Sequence, residues 1–337
     1  MRTAFVAFFA CVILGGQAFA EDFYAGKQIT IVAGTESGGG YDLYARNMAR
    51  HLGRFLPGNP TAIVQNMPGA GGIRAANYVY NAAPRDGLTI AQIHNGNPFA
   101  PFYGMEQAQF DPTRFIWLGS PTQEVSVFIL WHTVPVTTIA EAKKRELIIG
   151  AAGSATGGAF YSRILASVFG LKIKTVAGYK GLAESLLAME RGENEGYAST
   201  FWSTLQSTRG EWLRDKKIRL MLRYSGEMGP GLEGVPLAED LAENEDDRFV
   251  LQIAAAPFKL GRPFAAPPGV PQDRAKILEK AVYQAVRDPD YRADCARQML
   301  ECETPSTGEE IAAIIKATYA APERVRKRVV DIYQAER

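Results

Sequence analysis

The stretch QITIVAGTESGGGYDLYARNMARHLGRFLPGNPTAIVQNMPGAGG, residues 28–72, decides the fold class of this chain. It begins with Gln28–Ala33, which is rich in β-branched residues and predicts a strand. After a glycine-rich turn, large side chains recur every fourth residue, as on one face of a helix, at Tyr44, Met48, Leu52 and Leu56. Pro57-Gly58-Asn59-Pro60 ends that helix, and Ala62–Gln65 is the next strand. Strand, loop, helix and strand in this order predict parallel strands with helices on the faces of the sheet.

The same alternation continues to about residue 222 and then gives way to helices. The remaining strands are predicted at Leu88–Ile93, Val125–Trp131, Leu147–Ala151, Lys174–Ala177, Gly196–Ala198 and Arg219–Leu222. The C-terminal part is mainly helical, with helices at Gln272–Arg287, Pro289–Met299 and Thr307 to about Ile332. Besides these it offers two short apolar runs, Val250–Ala255 and Phe264–Ala265, so it lacks the core of an independent third domain.

We therefore predict an α/β fold of two lobes, each built on a mostly parallel sheet flanked by helices. Since the C-terminal part packs back on the first lobe, that lobe is discontinuous and consists of residues 21–118 and 235–337. Residues 119–234 form the inserted second lobe. Two crossovers between lobes make a hinge, and the crevice between them is the expected ligand site.

The N-terminal segment predicts export from the cytoplasm. Arg2, an apolar run from Ala4 to Gly16 and the small-x-small site Ala18-Phe19-Ala20 describe a signal peptide, residues 1–20, cut after Ala20. The whole chain carries a formal charge of +1, and removal of Arg2 leaves it neutral. A neutral chain has no basic field for nucleic acid or anionic lipid, so we expect a soluble periplasmic protein.

Two glycine-rich turns carry the strongest functional signal. Ser37-Gly38-Gly39-Gly40-Tyr41-Asp42 lies between a strand and a helix, where backbone N–H groups and the helix N-terminus favour an anion. Neither a Walker loop nor Gly-x-Gly-x-x-Gly is present there. The alternative is a tight turn with Asp42 as an N-terminal helix charge. Asn66-Met67-Pro68-Gly69-Ala70-Gly71-Gly72 follows the next strand, and this second turn at the same sheet edge favours the binding interpretation.

Polar loops follow several other strands and face the same predicted crevice. Asn95 follows the third strand, and in the second lobe the candidates are Ser154, Ala155, Thr156, Tyr179, Lys180, Gly181, Ser199 and Thr200. Hydroxyl and backbone N–H groups suit a carboxylate better than a metal. The alternative for each residue is ordinary turn and capping chemistry.

The sequence predicts no catalytic residue, metal or cofactor. His51, His94 and His132 are isolated, without the spacing of metal ligands. In Gly153-Ser154-Ala155-Thr156-Gly157 the serine stands one place too early for a nucleophile elbow. A secreted hydrolase or transferase stays as an alternative that lacks a recognisable nucleophile and base.

In its motifs the chain resembles the extracytoplasmic solute receptors of the tripartite tricarboxylate transporter family, the Bug receptors, from about Phe23 to Tyr333. Such receptors carry Pro-Gly-Gly-Gly-Thr-Asp after the first strand and Asn-x-Pro-Gly-Ala-Gly-Gly after the second. The further matches are Ala83-Pro84-Arg85-Asp86-Gly87, Tyr179-Lys180-Gly181 and the segment Phe264 to Pro271. The order and spacing of these motifs together are specific to the family.

The resemblance implies a monomeric, bilobed, periplasmic-binding-protein-like receptor. It would capture a small carboxylate and deliver it to a permease of one large and one small membrane subunit. By position, Gly38–Asp42 and Pro68–Gly71 would hold the carboxylate, and Ser154, Thr156 and Tyr179–Gly181 would close on it. A sensor subunit for a signalling kinase uses the same closed shape and is the alternative.

Several residues depart from the family pattern and bear on the ligand. Ser37 replaces proline, Tyr41 replaces threonine, and Glu36 adds a negative charge beside the first turn. The segment 198–201 lacks the usual acid, and this change together with Glu36 disfavours citrate-like ligands. The aromatic residues Tyr41, Phe160, Tyr161 and Trp202 suit an aromatic or longer apolar carboxylate, or else belong to the core.

Cys295 and Cys302 are the two cysteines that follow the signal peptide. On one continuous helix they would lie about 10 Å apart, too far to bond. If the helix ends near Met299 and the chain folds back before Thr304-Pro305, a helix-to-strand disulfide becomes possible. Both alternatives stay open on the sequence.

Overall fold

A computed structural model describes residues 23–153, 157–226 and 231–335 of the chain. The described part contains two mixed β-sheets. The first has the strand order β11-β4-β10-β3-β1-β2 and the second β7-β6-β8-β5-β9. The strands are β1 (Gln28–Ala33), β2 (Thr61–Asn66), β3 (Thr89–Gln92), β4 (Ile116–Ser120), β5 (Ser126–Trp131), β6 (Glu146–Ala151), β7 (Lys172–Ala177), β8 (Gly196–Phe201), β9 (Ile218–Arg223), β10 (Phe264–Ala266) and β11 (Ser306–Thr307).

Helices cover the faces of both sheets, which confirms the predicted fold class. The α-helices are α1 (Gly40–Leu52), α2 (Ile73–Asn81), α3 (Ile139–Ala142), α4 (Gly157–Phe169), α5 (Leu182–Glu190), α6 (Trp202–Thr208), α7 (Gly210–Arg214), α8 (Glu245–Leu260), α9 (Gln272–Ala285), α10 (Pro289–Arg297), α11 (Gly308–Tyr319) and α12 (Glu323–Gln334). None of these helices is long and apolar enough for a membrane span.

In the first sheet, β1 runs parallel to both β2 and β3, as its strand–loop–helix order predicts. The tail then completes the sheet. The apolar run at Phe264 becomes β10, which lies antiparallel between β3 and β4, and β11 pairs antiparallel with β4 at the edge. Two strands of the C-terminal part, β10 and β11, therefore belong to the first sheet.

In the second sheet, β6 runs parallel to β7 and β8, while β5 lies antiparallel to β8 and β9. The chain leaves the first sheet after Ser120 and enters the second at Ser126. It returns through α8, in which all residues of the segment Val250–Ala255 except Gln252 are buried. A single apolar run of this length leaves helix and strand undecided on the sequence.

The predicted helix from Thr307 to about Ile332 is wrong in one respect, because it is two helices, α11 and α12. Pro322 precedes the second as its N-cap residue. Proline lacks the amide proton that a continuous helix needs there and disfavours helical geometry at Ala321.

Cys295 and Cys302 form a disulfide, with Cα atoms 6.2 Å apart. Helix α10 ends at Arg297, and the Leu300 N–H donates to the carbonyl oxygen of Cys295, so the chain folds back within one turn. Of the two alternatives that the sequence leaves open, the fold-back is correct, although Cys302 lies in a loop instead of a strand. The predicted signal peptide lies outside the described residues.

Candidate functional site

The two glycine-rich turns lie side by side at the carboxyl ends of β1 and β2. These strands are in register from Gln28↔Thr61 to Ala33↔Asn66, and the Met67 N–H donates to the carbonyl oxygen of Ala33. A Cβ atom added to Gly34 would lie 2.9 Å from the Cα of Gly72. The turns are therefore in direct backbone contact, and a side chain at residue 34 would push them apart.

Asp42 ties the two turns together. Its side chain is 1% exposed and accepts hydrogen bonds from the Gly38 N–H (2.8 Å), Arg46 Nε (2.8 Å) and Asn66 Nδ2 (2.7 Å). Asn66 also donates to the carbonyl oxygen of Thr35. Burial on its own raises the pKa of Asp42, but the hydrogen bonds from Arg46, Gly38 and Asn66 outweigh burial and hold the pKa below its usual value. Asp42 is thus an ionised residue that positions the turns, and its oxygens are already occupied.

The second turn needs glycine because its backbone stays at positive φ. Gly71 and Gly72 have φ of 61° and 90°, and helix α2 begins at the next residue. Such a path is accessible to glycine at little steric cost. Gly72 is also crowded, since an added Cβ would lie 2.9 Å from Asn97 Nδ2 and 3.0 Å from the Cγ of His94. The loop after β3 therefore packs on the second turn.

Tyr41 fills the space between the first turn and the loop after β3. Its ring stacks on His94 with centroids 3.9 Å apart, and its hydroxyl oxygen accepts a hydrogen bond from the Asn95 N–H at 3.0 Å. The guanidinium of Arg262 lies over the ring at 4.6 Å. With these neighbours Tyr41 is not a free platform for an aromatic ligand.

The core alternative is correct for the other aromatic candidates. Phe160 is 6% exposed and packs against Tyr103, and the Tyr161 hydroxyl donates to the carbonyl oxygen of Ala254 at 2.6 Å. Trp202 is 9% exposed. These side chains belong to the hydrophobic core that includes both sheets.

Four polar side chains near the carboxyl ends of β3 and β8 have buried atoms without a hydrogen-bond partner in the described part of the chain. They are Gln92 with both amide atoms, His94 with Nε2, Asn97 with Nδ2 and Thr200 with Oγ1. Buried polar groups are normally paired with protein, water or ligand. Asn97 and Thr200 thus have polar atoms that remain available to a water molecule or a polar ligand. Of these, Thr200 was a sequence candidate, whereas Asn97 was not.

The other second-lobe candidates make contacts within their own lobe. The Ser199 hydroxyl bonds that of Ser126 at 2.7 Å, and the Tyr179 hydroxyl accepts from Asn194 at 3.4 Å. Lys180 is exposed, and its backbone N–H donates to Glu184. Ser154, Ala155 and Thr156 lie outside the described residues.

A buried ion pair beside the turns was not predicted. Arg262 Nη2 lies 2.8 Å from Glu124 Oε1, with side chains 16% and 2% exposed. Burial, together with the Glu124 charge, raises the pKa of Glu301 to about 7. The two residues are 138 positions apart in the chain, so no local sequence pattern predicts their pairing. The only sign of this ion pair in the sequence is that Arg262 is a charged residue with apolar neighbours.

His94 titrates abnormally in this setting. Burial, and then the positive charge of Arg262, lower the pKa of His94 to about 4. An unfolded histidine has a pKa of about 6.5. Between these values the unfolded chain binds a proton that the folded chain does not. Stability is therefore expected to fall as the pH falls through this window.

The expected fall in stability at acidic pH can be tested with the variant His94→Gln. Between pH 7 and pH 4.5 the wild type should lose roughly 1–3 kcal/mol more unfolding free energy than the variant. Urea unfolding across that range measures the difference, and His132→Gln at an exposed site is the control. Parallel curves for wild type and His94→Gln would contradict the burial of a neutral imidazole.

Comparisons with known proteins agree with this architecture. The sequence model of the tripartite tricarboxylate transporter family receptor matches residues 44–225. The chain is 26% identical over 294 residues to the UPF0065 protein in gbd 5'region of Cupriavidus necator, covering 83% of this chain and 81% of that protein.

Solved structures share the fold. A TctC solute binding protein from Polaromonas has a TM-score of 0.71 at 18% identity, covering 92% of this chain and 98% of its own. An R. palustris protein with adipate has a TM-score of 0.60 at 21% identity, covering 90% and 97%. MatC from Rhodopseudomonas palustris with bound malate has a TM-score of 0.59 at 20% identity, covering 92% and 99%.

Proposed function

Because the chain belongs to the tripartite tricarboxylate transporter receptor family, we propose that it is a periplasmic solute-binding protein without catalytic activity. It captures a small organic carboxylate between its two lobes. It then presents this ligand to a permease of one large and one small membrane subunit, as a monomer with its signal peptide removed after Ala20. The lobes have the limits predicted above, residues 21–118 with 235–337 and residues 119–234.

One observation carries this proposal, namely the paired turns at the ends of β1 and β2. Their backbones are in contact and are held by the buried, ionised Asp42. Backbone N–H groups at a helix N-terminus recognise an anion without a neighbouring cation. We therefore place the carboxylate seat in the segments Ser37–Tyr41 and Pro68–Gly71. The Gly38 N–H is not one of its donors, because that group already donates to Asp42.

The buried, unpaired group of Asn97 lies beside Gly72 of the second turn, and that of Thr200 lies on β8 of the second sheet. They suit the polar end or the hydroxyl groups of a ligand. The aromatic side chains near the crevice are engaged with the core or with Arg262. We therefore propose a small aliphatic carboxylate in place of an aromatic one. The relatives with adipate and malate support this class.

A thermal-shift screen of the mature protein tests the proposal. The panel contains mono-, di-, tri- and aromatic carboxylates, with adipate and malate among them, and hits are measured by calorimetry. A ligand at 100 times its Kd adds about 2.7 kcal/mol of stability, which is a shift of several degrees. A panel in which no carboxylate raises the melting temperature would count against carboxylate binding.

The seat is tested by Gly39→Val. Gly39 has φ of −73°, which any residue adopts, but an added Cβ would lie 2.9 Å from Thr35 Oγ1. The bulk of valine should crowd the first turn and weaken binding of the best carboxylate at least about 100-fold, with the fold retained.

Gly210→Val is the matched control, because a Cβ at Gly210 meets no atom within 4 Å. It should bind like the wild type. If calorimetry gives Gly39→Val the affinity of the control, the first turn is not the seat.

A further inference from the structure

Arg262 lies where the two sheets meet and contacts elements of both. Its guanidinium lies 4.6 Å from the ring centroid of Tyr41 and 5.4 Å from that of Tyr44, both on α1. It also lies 5.8 Å from the ring of Phe201, the last residue of β8. One side chain thus touches the helix that follows the first turn and a strand of the second sheet.

Glu124 fixes the guanidinium from the crossover between β4 and β5. Besides its 2.8 Å ion pair with Arg262, its Oε2 accepts a hydrogen bond from the Ser203 hydroxyl at 3.4 Å. The Glu124 N–H donates to the carbonyl oxygen of Phe258 in α8, and its own carbonyl oxygen accepts from the Ser225 hydroxyl. Breaking a buried pair of this kind leaves an uncompensated charge, so Arg262 has one well-defined position.

From Arg262 a stack of side chains continues to the second turn. Tyr41 contacts both the guanidinium and the imidazole of His94, and His94 packs against Gly72. A planar guanidinium stacks on an aromatic face in a way that an ammonium does not reproduce. The charge of Arg262 is already matched by Glu124, which leaves its stacked face as the feature that bears on the seat.

We propose that Arg262 is a positioning residue for carboxylate recognition. Glu124 holds the guanidinium in place, and the guanidinium packs on Tyr41. Through Tyr41 and His94 it restrains both glycine-rich turns. Its contact with Phe201 connects this seat to the second lobe. This inference rests on the proposed function. The inference goes beyond the proposed function, because it assigns the geometry of the seat to a residue outside the turns.

The test is amide hydrogen exchange of the ligand-free mature protein carrying Arg262→Lys. Lysine keeps the charge opposite Glu124 and loses the planar stack. Amides of residues 38–43 and 69–75 should exchange at least about tenfold faster than in the wild type, because local opening becomes easier. The affinity for the best carboxylate of the panel should fall about tenfold or more.

Arg274→Lys is the matched control, because Arg274 also stacks on an aromatic ring, that of Phe23 at 3.6 Å, away from the turns. It should leave exchange in both turns unchanged. Tyr41→Leu is a second variant, which removes the ring and keeps the Arg262–Glu124 pair. It should speed exchange in the same segments as Arg262→Lys does.

Unchanged exchange in the turns of Arg262→Lys would overturn the proposal, and unchanged exchange in Tyr41→Leu would overturn the route through Tyr41. An affinity loss in Arg262→Lys without faster exchange would also overturn the proposal, since that result describes direct contact with the ligand. If the wild type binds no carboxylate, the proposed function fails. The exchange experiment, which uses no ligand, still decides whether Arg262 positions the turns.

Discussion

Replacing Asp42 with asparagine is expected to lower the free energy of unfolding by about 2–4 kcal/mol and to abolish carboxylate binding. The Asp42 carboxylate is buried and accepts three hydrogen bonds, from Gly38, Arg46 and Asn66. The amide of asparagine has the same shape but one acceptor oxygen fewer. Its NH₂ group would face groups that are themselves hydrogen-bond donors. Both turns then lose their common anchor.

The effect should depend on pH in a defined direction. The hydrogen bonds hold the pKa of Asp42 below its usual value. Its stabilisation is therefore complete above the unfolded pKa and is lost as the pH falls through the folded one. The difference between wild type and Asp42→Asn, measured by urea unfolding, should shrink in acid.

Asp246→Asn is the control for Asp42. Asp246 pairs with Arg324 at 2.8 Å, but their side chains are 35% and 63% exposed. Solvent screens such a surface pair, so its loss should change stability far less than loss of the Asp42 network and leave binding intact. Equal losses in the two variants would show that the Asp42 network does not anchor the turns.

Gly261→Ala is the second change with a large expected effect. Gly261 follows α8 with φ of 60°, and an added Cβ would lie 1.8 Å from the carbonyl oxygen of Thr122. No side-chain motion relieves an overlap with backbone, so the return from α8 must move away from the first crossover. We expect a loss of more than about 3 kcal/mol in unfolding free energy.

The same movement should displace the neighbouring Arg262 and weaken ligand binding. Gly26→Ala separates strain from overlap, because Gly26 has φ of 67° but a Cβ there meets no atom within 4 Å. Its cost should be about 1 kcal/mol. Similar melting temperatures for both variants in the same buffer would refute the close contact between residues 261 and 122.

The turns themselves could be predicted from the sequence, whereas the residues that support them could not. Ser37–Asp42 and Pro68–Gly72 each stand between a strand and a helix, and parallel neighbouring strands bring such turns to one edge. Asp42 belongs to the predicted set, but its role differs. A carboxylate at a helix N-terminus fits either a ligand site or a cap, and only its partners distinguish them.

Periodicity and turn chemistry in the sequence determined the β-loop-α units and the family, and they predicted that the turns bind an anion. These properties depend on residues that are a few positions apart, so local sequence patterns predict them. The insertion of β10 between β3 and β4, the bond between Cys295 and Cys302 and the Arg262–Glu124 pair were decided by the tertiary structure. Each of these features depends on how segments of the chain fold back on one another. The pairing of groups from different segments in a low-dielectric interior leaves no local pattern in the sequence.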